Sequence, residues 1–457
     1  MLRLWAGQAE TLWDELLPVE ARELPEDLAG IDELLRDAAL LEPIAVHWER
    51  GALERGRPTI AMETYVRLMV VKQRSGFGYE TLVREVSDSL HLRRFCLIPL
   101  SARVPDESTL RKLTRRLGPE VVAALTRGLI VKAARERRFK ARAARIDSTV
   151  VEADIKYPTD AELALQGARA LAREGRRLGA RLRAAGTRVR DRSRSIGRTV
   201  RSISRTLRRR RGEAKVEVMR LNERAGRLIS RSVSEARRLA AEARRAARGR
   251  GARAKLEAAQ RLEQLAGRCE RIAEQIAKRA RGEKITDRLV SIADPDARPI
   301  RKGKLGKPTE FGYVEQLCEL TENTGPGARG LILPPQAAPG NPGENTLLPQ
   351  TAAELEALGL SPREVALDGG FGDQLSVEQL ADIAPERIFV AGRSEPGSRR
   401  TRRRLARYRV GMEGRISHLK RRYGLGRSRL KGHQGQQIWS GWAVLAYNLD
   451  TLAVRTG

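Results

Sequence analysis

YRVGMEGRISHLKRRYGLGRSRLKG, residues 408–432, has the spacing of a helix with two unlike faces. At about 3.6 residues per turn, Arg409, Glu413 and Lys420 share one face, while Ile416 and Leu419 mark another that can dock on a core. A carboxylate between two cations at helical spacing also describes an ordinary salt-bridge ladder on a solvated surface. Two further stretches weigh against that reading. RIDSTVVEADI (145–155) and EVALDGGFGD (364–373) each set an aspartate in, or at the end of, a strand-like apolar run. The chain reads as a device for bringing Asp147, Asp368 and Glu413 together around metal ions.

The charge balance says what such a device would work on. The 457 residues carry 88 Lys+Arg against 57 Asp+Glu, a formal net charge of +31. That excess points to a polyanionic partner, with nucleic acid first. A membrane is the rival polyanion, but the most apolar late run, IWSGWAVLAYNLDTLAV (438–454), is interrupted by Ser440, Asn448 and Asp450 and is too short to span. It predicts a buried helix and no membrane partner. Cys96, Cys269 and Cys318 make no metal-spaced pair, and only four histidines are present. A zinc site and a disulfide framework are therefore not expected. The start MLRLWAGQAETLWDELL is acidic and amphipathic without a signal-peptide layout, which predicts a cytoplasmic protein, nucleoid-associated when on DNA.

The pattern divides the chain into three parts. Residues 1–135 are expected to be helical and to contact DNA. Leu12, Leu16 and Leu17, then Leu34, Leu35, Leu40 and Leu41, recur at helical spacing. Two helices should meet at the corner Gly76-Phe77-Gly78, and PDESTLRKLTRRLG (105–118) should be a helix capped by Asp106 or Ser108. The arrangement is compatible with a helix-turn-helix. Residues 136–160 and 284–457 hold the strands: one at 145–155, one over GYVEQLCEL paired to RGLILPPQA through the TGPGA turn, then EVALD and RIFVAG, with helices between. Residues 161–283 are rich in Ala, Arg, Leu and Glu and contain no proline. Their apolar periodicity predicts a long basic helical hairpin turning near Arg211-Gly212, a dimerisation coiled coil or an arm along DNA.

The acids carry a specific chemistry. An aspartate among Ile146, Val150 and Val151 is costly to bury unless paired or metal-bound. Asp368 stands where its strand ends in Gly369-Gly370, the edge at which α/β sheets place ligands, and the glycines would let a phosphate or metal come close. Oxygen ligands without Cys or His suit Mg²⁺ or Mn²⁺. Two such ions can activate a water or a 3′-hydroxyl and stabilise the leaving oxygen of a phosphodiester.

Taken together, these residues resemble the bacterial insertion-sequence transposases of the DDE class. The family pattern around its glutamate is Y-x2-R-x3-E-x6-K. Arg409, Glu413 and Lys420 occupy its last three positions, with Ala406 at the tyrosine position and Tyr408 nearby. The tail YGLGRSRLKGHQGQQIWSGWAVLAYNL (423–449) is also similar, and the likeness covers nearly all the chain except the interior of 161–283, an insert that here follows the first acid. The resemblance implies an RNase-H-like mixed α/β sheet flanked by helices, with an N-terminal all-α domain and the helical insertion. It implies Asp147, Asp368 and Glu413 as catalytic, metal-holding acids, and Arg409 and Lys420 on DNA phosphates beside the scissile bond. It further implies binding of double-stranded DNA at terminal inverted repeats, strand cleavage, joining of 3′-ends to target DNA, and a homodimer on DNA. His418 is expected to be structural. The alternatives are a metal-dependent nuclease of the same fold and a non-catalytic, domesticated DNA-binding protein.

Overall fold

The computed structural model describes residues 1–7, 15–136, 139–182, 186–209, 213–249, 251–301, 309–393 and 397–456. Leu12 and the expected corner at Arg211-Gly212 lie outside the described residues. The chain divides into two compact units, one of residues 1–154 and 313–457 and the other of residues 155–312.

The first unit is a mixed α/β structure. Its central strand β1 (Ala143–Ala153) lies between β3 (Glu310–Thr321) and β6 (Glu364–Leu367), and β7 (Arg387–Val390) closes the far edge. β1, β6 and β7 are parallel. β4 (Leu331–Ile332) and β5 (Gln336–Ala338) pair antiparallel with β3, and β8 (Arg427–Ser428) pairs with the end of β1. β2 (Arg298–Ile300) pairs antiparallel with the first residues of β3 inside the second unit. The run Val365-Ala366-Leu367 is buried throughout, as a parallel strand covered on both faces must be.

Helices cover the sheet. Val365 and Leu367 share a core with Ala144 and Ile146 and with the N-terminal helices. Among these, Met62–Ser75 and Tyr79–Asp88 meet at Gly76, whose φ of +67° is the left-handed conformation that ends a helix at a glycine. Glu107–Arg135 begins after Asp106 and is kinked at Gly118 (φ +70°), just before Pro119, which has no N–H to continue the ladder. The leucine pattern misleads at the start of the chain, where Leu16 is exposed. The predicted buried helix is His433–Thr456, and two of its polar interruptions, Asn448 and Ser440, are matched to strands. Asn448 accepts from the Ile332 N–H and donates to the Ile332 carbonyl, both at 2.8 Å. Ser440 donates to Glu315 at 2.6 Å.

The second unit corrects the expected two-armed hairpin. Among the described residues it contains four helices, Asp160–Gly179, Ser193–Leu207, Glu213–Arg245 and Ala252–Ala280. The first arm breaks because the linker before Ser193 has partners far away in sequence. Glu242 accepts from the N–H and hydroxyl of Thr187, and Glu235 accepts from the Arg190 N–H at 2.8 Å and binds Arg192. Val189 packs so close to Gly175 that a Cβ there would lie 2.7 Å from it. The last two helices run antiparallel, as Arg244 pairs with Glu263 and Arg237 with Glu270. Leu289 and Ile292 join the same core. The Gln275 side chain exchanges two hydrogen bonds with the Leu289 backbone, so this returning segment packs with the helices it follows.

Candidate active site

The parallel register of β1 and β6 runs from Ala143 opposite Glu364 to Ile146 opposite Leu367. Asp147 and Asp368 are each the next residue. Asp147 is still in β1, while Asp368 is the first residue past the end of β6; continued by one step, the register would set them about 5 Å apart on the same face. That face is opposite the one carrying Ile146 and Leu367. It is the side on which Ala143 and Ala366 cluster with Leu405 and Tyr408 of the helix Arg399–Arg422.

From that helix Arg409 reaches back to the sheet. Its Nη1 donates to Asp368 Oδ1 at 2.9 Å, and its Nη2 lies 3.2 Å from Glu413 Oε1 one turn further on. The arginine side chain is only 16% exposed, whereas those of Asp368 and Glu413 are 46% and 59% exposed. A tucked-in guanidinium thus sits between two carboxylates that open to solvent. Asp147 is half-buried, and its Oδ1 accepts from the Ser148 N–H at 2.7 Å. Among the described residues, no three Asp, Glu, His or Cys side chains close into a metal-binding group. The cation linking Asp368 and Glu413 in this arrangement is Arg409. The donor chemistry nevertheless fits a hard divalent ion: the acids supply only oxygens, two of them adjacent by register and the third one bridge away.

A buried ion network that the sequence did not single out seats the helix. Glu319 of β3, fully buried, accepts from Arg145 at 2.7 Å, from Arg415 at 2.8 Å and from the Gly330 N–H at 3.0 Å. Arg145 also donates to the Tyr408 and Ala328 carbonyls, each at 2.9 Å, and its guanidinium stacks 5.0 Å from the Tyr408 ring centre. The helix passes this guanidinium only because residue 411 is glycine, where a Cβ would come within 1.8 Å of Arg145 Nη1. The sequence signal was Arg145 itself, two residues before Asp147 and so on the same face of the strand.

Lys420 turns inward, its Nζ donating to the Val150 carbonyl at 2.8 Å. Near it, Glu315 of β3 is completely buried and takes hydrogen bonds from Ser440 and Gln436, each at 2.6 Å. Burial pushes its carboxyl up to about 8, against the opposing pull of the Ser440 hydroxyl, the Lys420 charge and the Gln436 amide. His418 packs edge-on against Tyr423 and Tyr447, and burial, with the charges of Arg329 and Arg415, lowers its pKa. Gly369 and Gly370 do not open space for a ligand. A Cβ at either would meet protein, the Ala391 carbonyl or the Glu344 side chain, at 2.8 Å. Their smallness serves chain packing.

The mixed α/β sheet thus carries one acid on β1, a second just past the end of β6 and a third on the helix above. Two family models then supply the family. Residues 18–116 match a transposase domain (DUF772), and residues 328–449 match a transposase DDE domain. Together they support an insertion-sequence transposase of the DDE class. The second match spans Asp368, Arg409, Glu413 and Lys420; Asp147 lies outside it. No curated protein and no solved structure matched. Among the described residues no helix is long and apolar enough to cross a membrane.

Proposed function

We propose that the chain binds the ends of a mobile DNA element, cleaves strands there in a divalent-metal-dependent reaction, and joins the freed 3′-ends to target DNA. Asp147, Asp368 and Glu413 are the proposed metal-holding acids. The observation that carries this reading is the register that sets Asp147 beside Asp368, with Arg409 tying Asp368 to Glu413. An RNase-H-like arrangement of the catalytic part is supported by the same geometry: first acid on the central strand, second on the adjacent parallel strand, third on a helix packed across both.

Bound there, Mg²⁺ or Mn²⁺, as a pair of ions, would activate the attacking water or 3′-hydroxyl and stabilise the leaving oxygen. The chain's own residues position the DNA. Arg409 exchanges its carboxylate partners for a backbone phosphate, which its planar fork can hold through two bonds. Lys420, whose Nζ here donates to the Val150 carbonyl, would turn outward to add a point charge from the same helix. The hydrophobic seat under that helix keeps these cations in line with the acids. Residues 1–135, with the cations Arg111, Lys112, Arg115 and Arg116 on one helix, and the insertion 161–283, whose Lys and Arg far outnumber its acids, are the proposed surfaces for element-end DNA. Residues 136–160 and 284–457 are the proposed catalytic domain, working as a homodimer because an element has two ends.

The test is a strand-transfer assay on a plasmid carrying the DNA that flanks the chain's own gene. Joined products in Mg²⁺ support the transposase; cuts at the ends without joining support a nuclease on the same fold. Neither, with DNA still bound, leaves a binding protein.

A further inference from the structure

A second concave surface lies on the same helix, on the flank away from the acids. At about 100° per residue, Arg409 and Glu413 project from one side of Arg399–Arg422, while Arg400, Arg407 and Gly414 project from the other. There a cavity of about 900 Å³ opens between the helix and the turn 324–328. Its wall is unusually cationic, and its arginines divide into two groups. Arg145 and Arg415 are both paired with buried Glu319. Arg404 is neutralised by Glu364 at 2.6 Å and touches Thr324. These three are structural.

The other four are not accounted for. Arg399, Arg400, Arg403 and Arg407 are exposed and line the cavity, yet none meets a carboxylate among the described residues. Arg399, Arg403 and Arg407 follow one another at i, i+4, a ridge of cations in steps of about 6 Å. The first of them lies in the opening turn of the helix, where the unsatisfied N–H groups add positive potential. The turn opposite is Gly325-Pro326-Gly327-Ala328, small enough to admit a backbone. A Cβ at Gly414 would meet nothing within 4 Å. Like charges packed this closely repel one another, and an anion relieves the repulsion.

We propose that this cavity grips the sugar-phosphate backbone of a second DNA segment, distinct from the strand at the acids. The two flanks are separated by the width of a helix, about 10 Å. A duplex with a persistence length of about 150 bp cannot fold around so thin a wall, so the two flanks engage different segments. The inference rests on the reading of the chain as a DNA-processing protein.

The experiment measures binding of the full-length protein to a fluorescent duplex of arbitrary sequence, at several salt concentrations. The variant is R399Q/R400Q/R403Q/R407Q, with folding checked by circular dichroism. Four lost phosphate contacts should flatten the log–log salt dependence by about 3 to 4 and weaken binding on the order of 100-fold near 0.1 M salt. Gly414→Phe fills the cavity without changing charge and should weaken the same binding about tenfold. All three native cysteines are buried, so a photo-crosslinker on Arg403→Cys labels that position alone and should capture the duplex. An unchanged salt slope with no crosslink overturns the proposal. So does loss of inorganic tripolyphosphate binding with duplex affinity intact, which would make the cavity a small-anion site. Retained binding in a protein that never cleaves DNA would defeat the catalytic reading and leave this one standing.

Discussion

Arg409 binds Asp368 at 2.9 Å, joining the late helix to the end of strand β6. The contact spans 41 residues of sequence and also recruits Glu413. One guanidinium therefore holds the second and third acids of the proposed site in register before any ligand arrives.

A lysine cannot bridge two carboxylates in this way, because its ammonium is a single point charge on a flexible stem. Arg409→Lys should leave the fold intact and lower end cleavage by about 10- to 100-fold, read in a gel assay with the same protein preparation checked for DNA binding.

Glu319 pairs with both Arg145 and Arg415 in a fully buried setting. Removing one partner of such a network leaves uncompensated charge in the interior, at a cost of about 3–5 kcal/mol. Glu319→Gln should destabilise by that order in urea unfolding. Gly411→Ala should also destabilise, through the clash of its Cβ with Arg145. An unaltered midpoint in both variants would mean the network does not seat the helix.

Asn448 satisfies both backbone groups of Ile332 from inside the C-terminal helix. Asn448→Ala leaves a buried donor and acceptor unmet, a loss of about 1–3 kcal/mol. Hydrogen exchange at the Ile332 amide should accelerate in that variant and stay slow in the parent.

Glu315 gives a pH dependence with a definite sign. Its folded pKa, about 8, lies above the ordinary value of 4.5, so the folded protein binds this proton more tightly than the unfolded chain. The resulting stability is complete below about pH 4.5 and is lost as pH rises through about 8. Between about pH 4.5 and 8 the native protein should lose thermal stability relative to Glu315→Gln, which keeps a neutral side chain there. Parallel melting curves across that window would contradict the assignment.

Strand placement was legible because burial leaves a pattern. Val365-Ala366-Leu367 could only be an enclosed strand, and the β-branched run after Asp147 could only extend. The apolar C-terminal helix was legible too, although what Ser440 and Asn448 do there depends on Glu315 and Ile332, more than a hundred residues earlier. Glu319 and Glu315 were hidden for the same reason: an alternating strand shows where a carboxylate points, not which arginine or serine waits for it. The break in the insertion was hidden most completely. Residues around Thr187 and Arg190 read as helix, and the acids that unwind them, Glu235 and Glu242, lie 45 and 55 residues away.

The central claim is that Asp147, Asp368 and Glu413 act as one site. It is tested most directly by cleavage at element ends in Mg²⁺ for Asp147→Ala, Asp368→Ala and Glu413→Ala, with DNA affinity measured alongside. The account predicts that each single change abolishes cleavage and leaves binding within a few-fold of the parent. Full cleavage by any one of the three variants would contradict it.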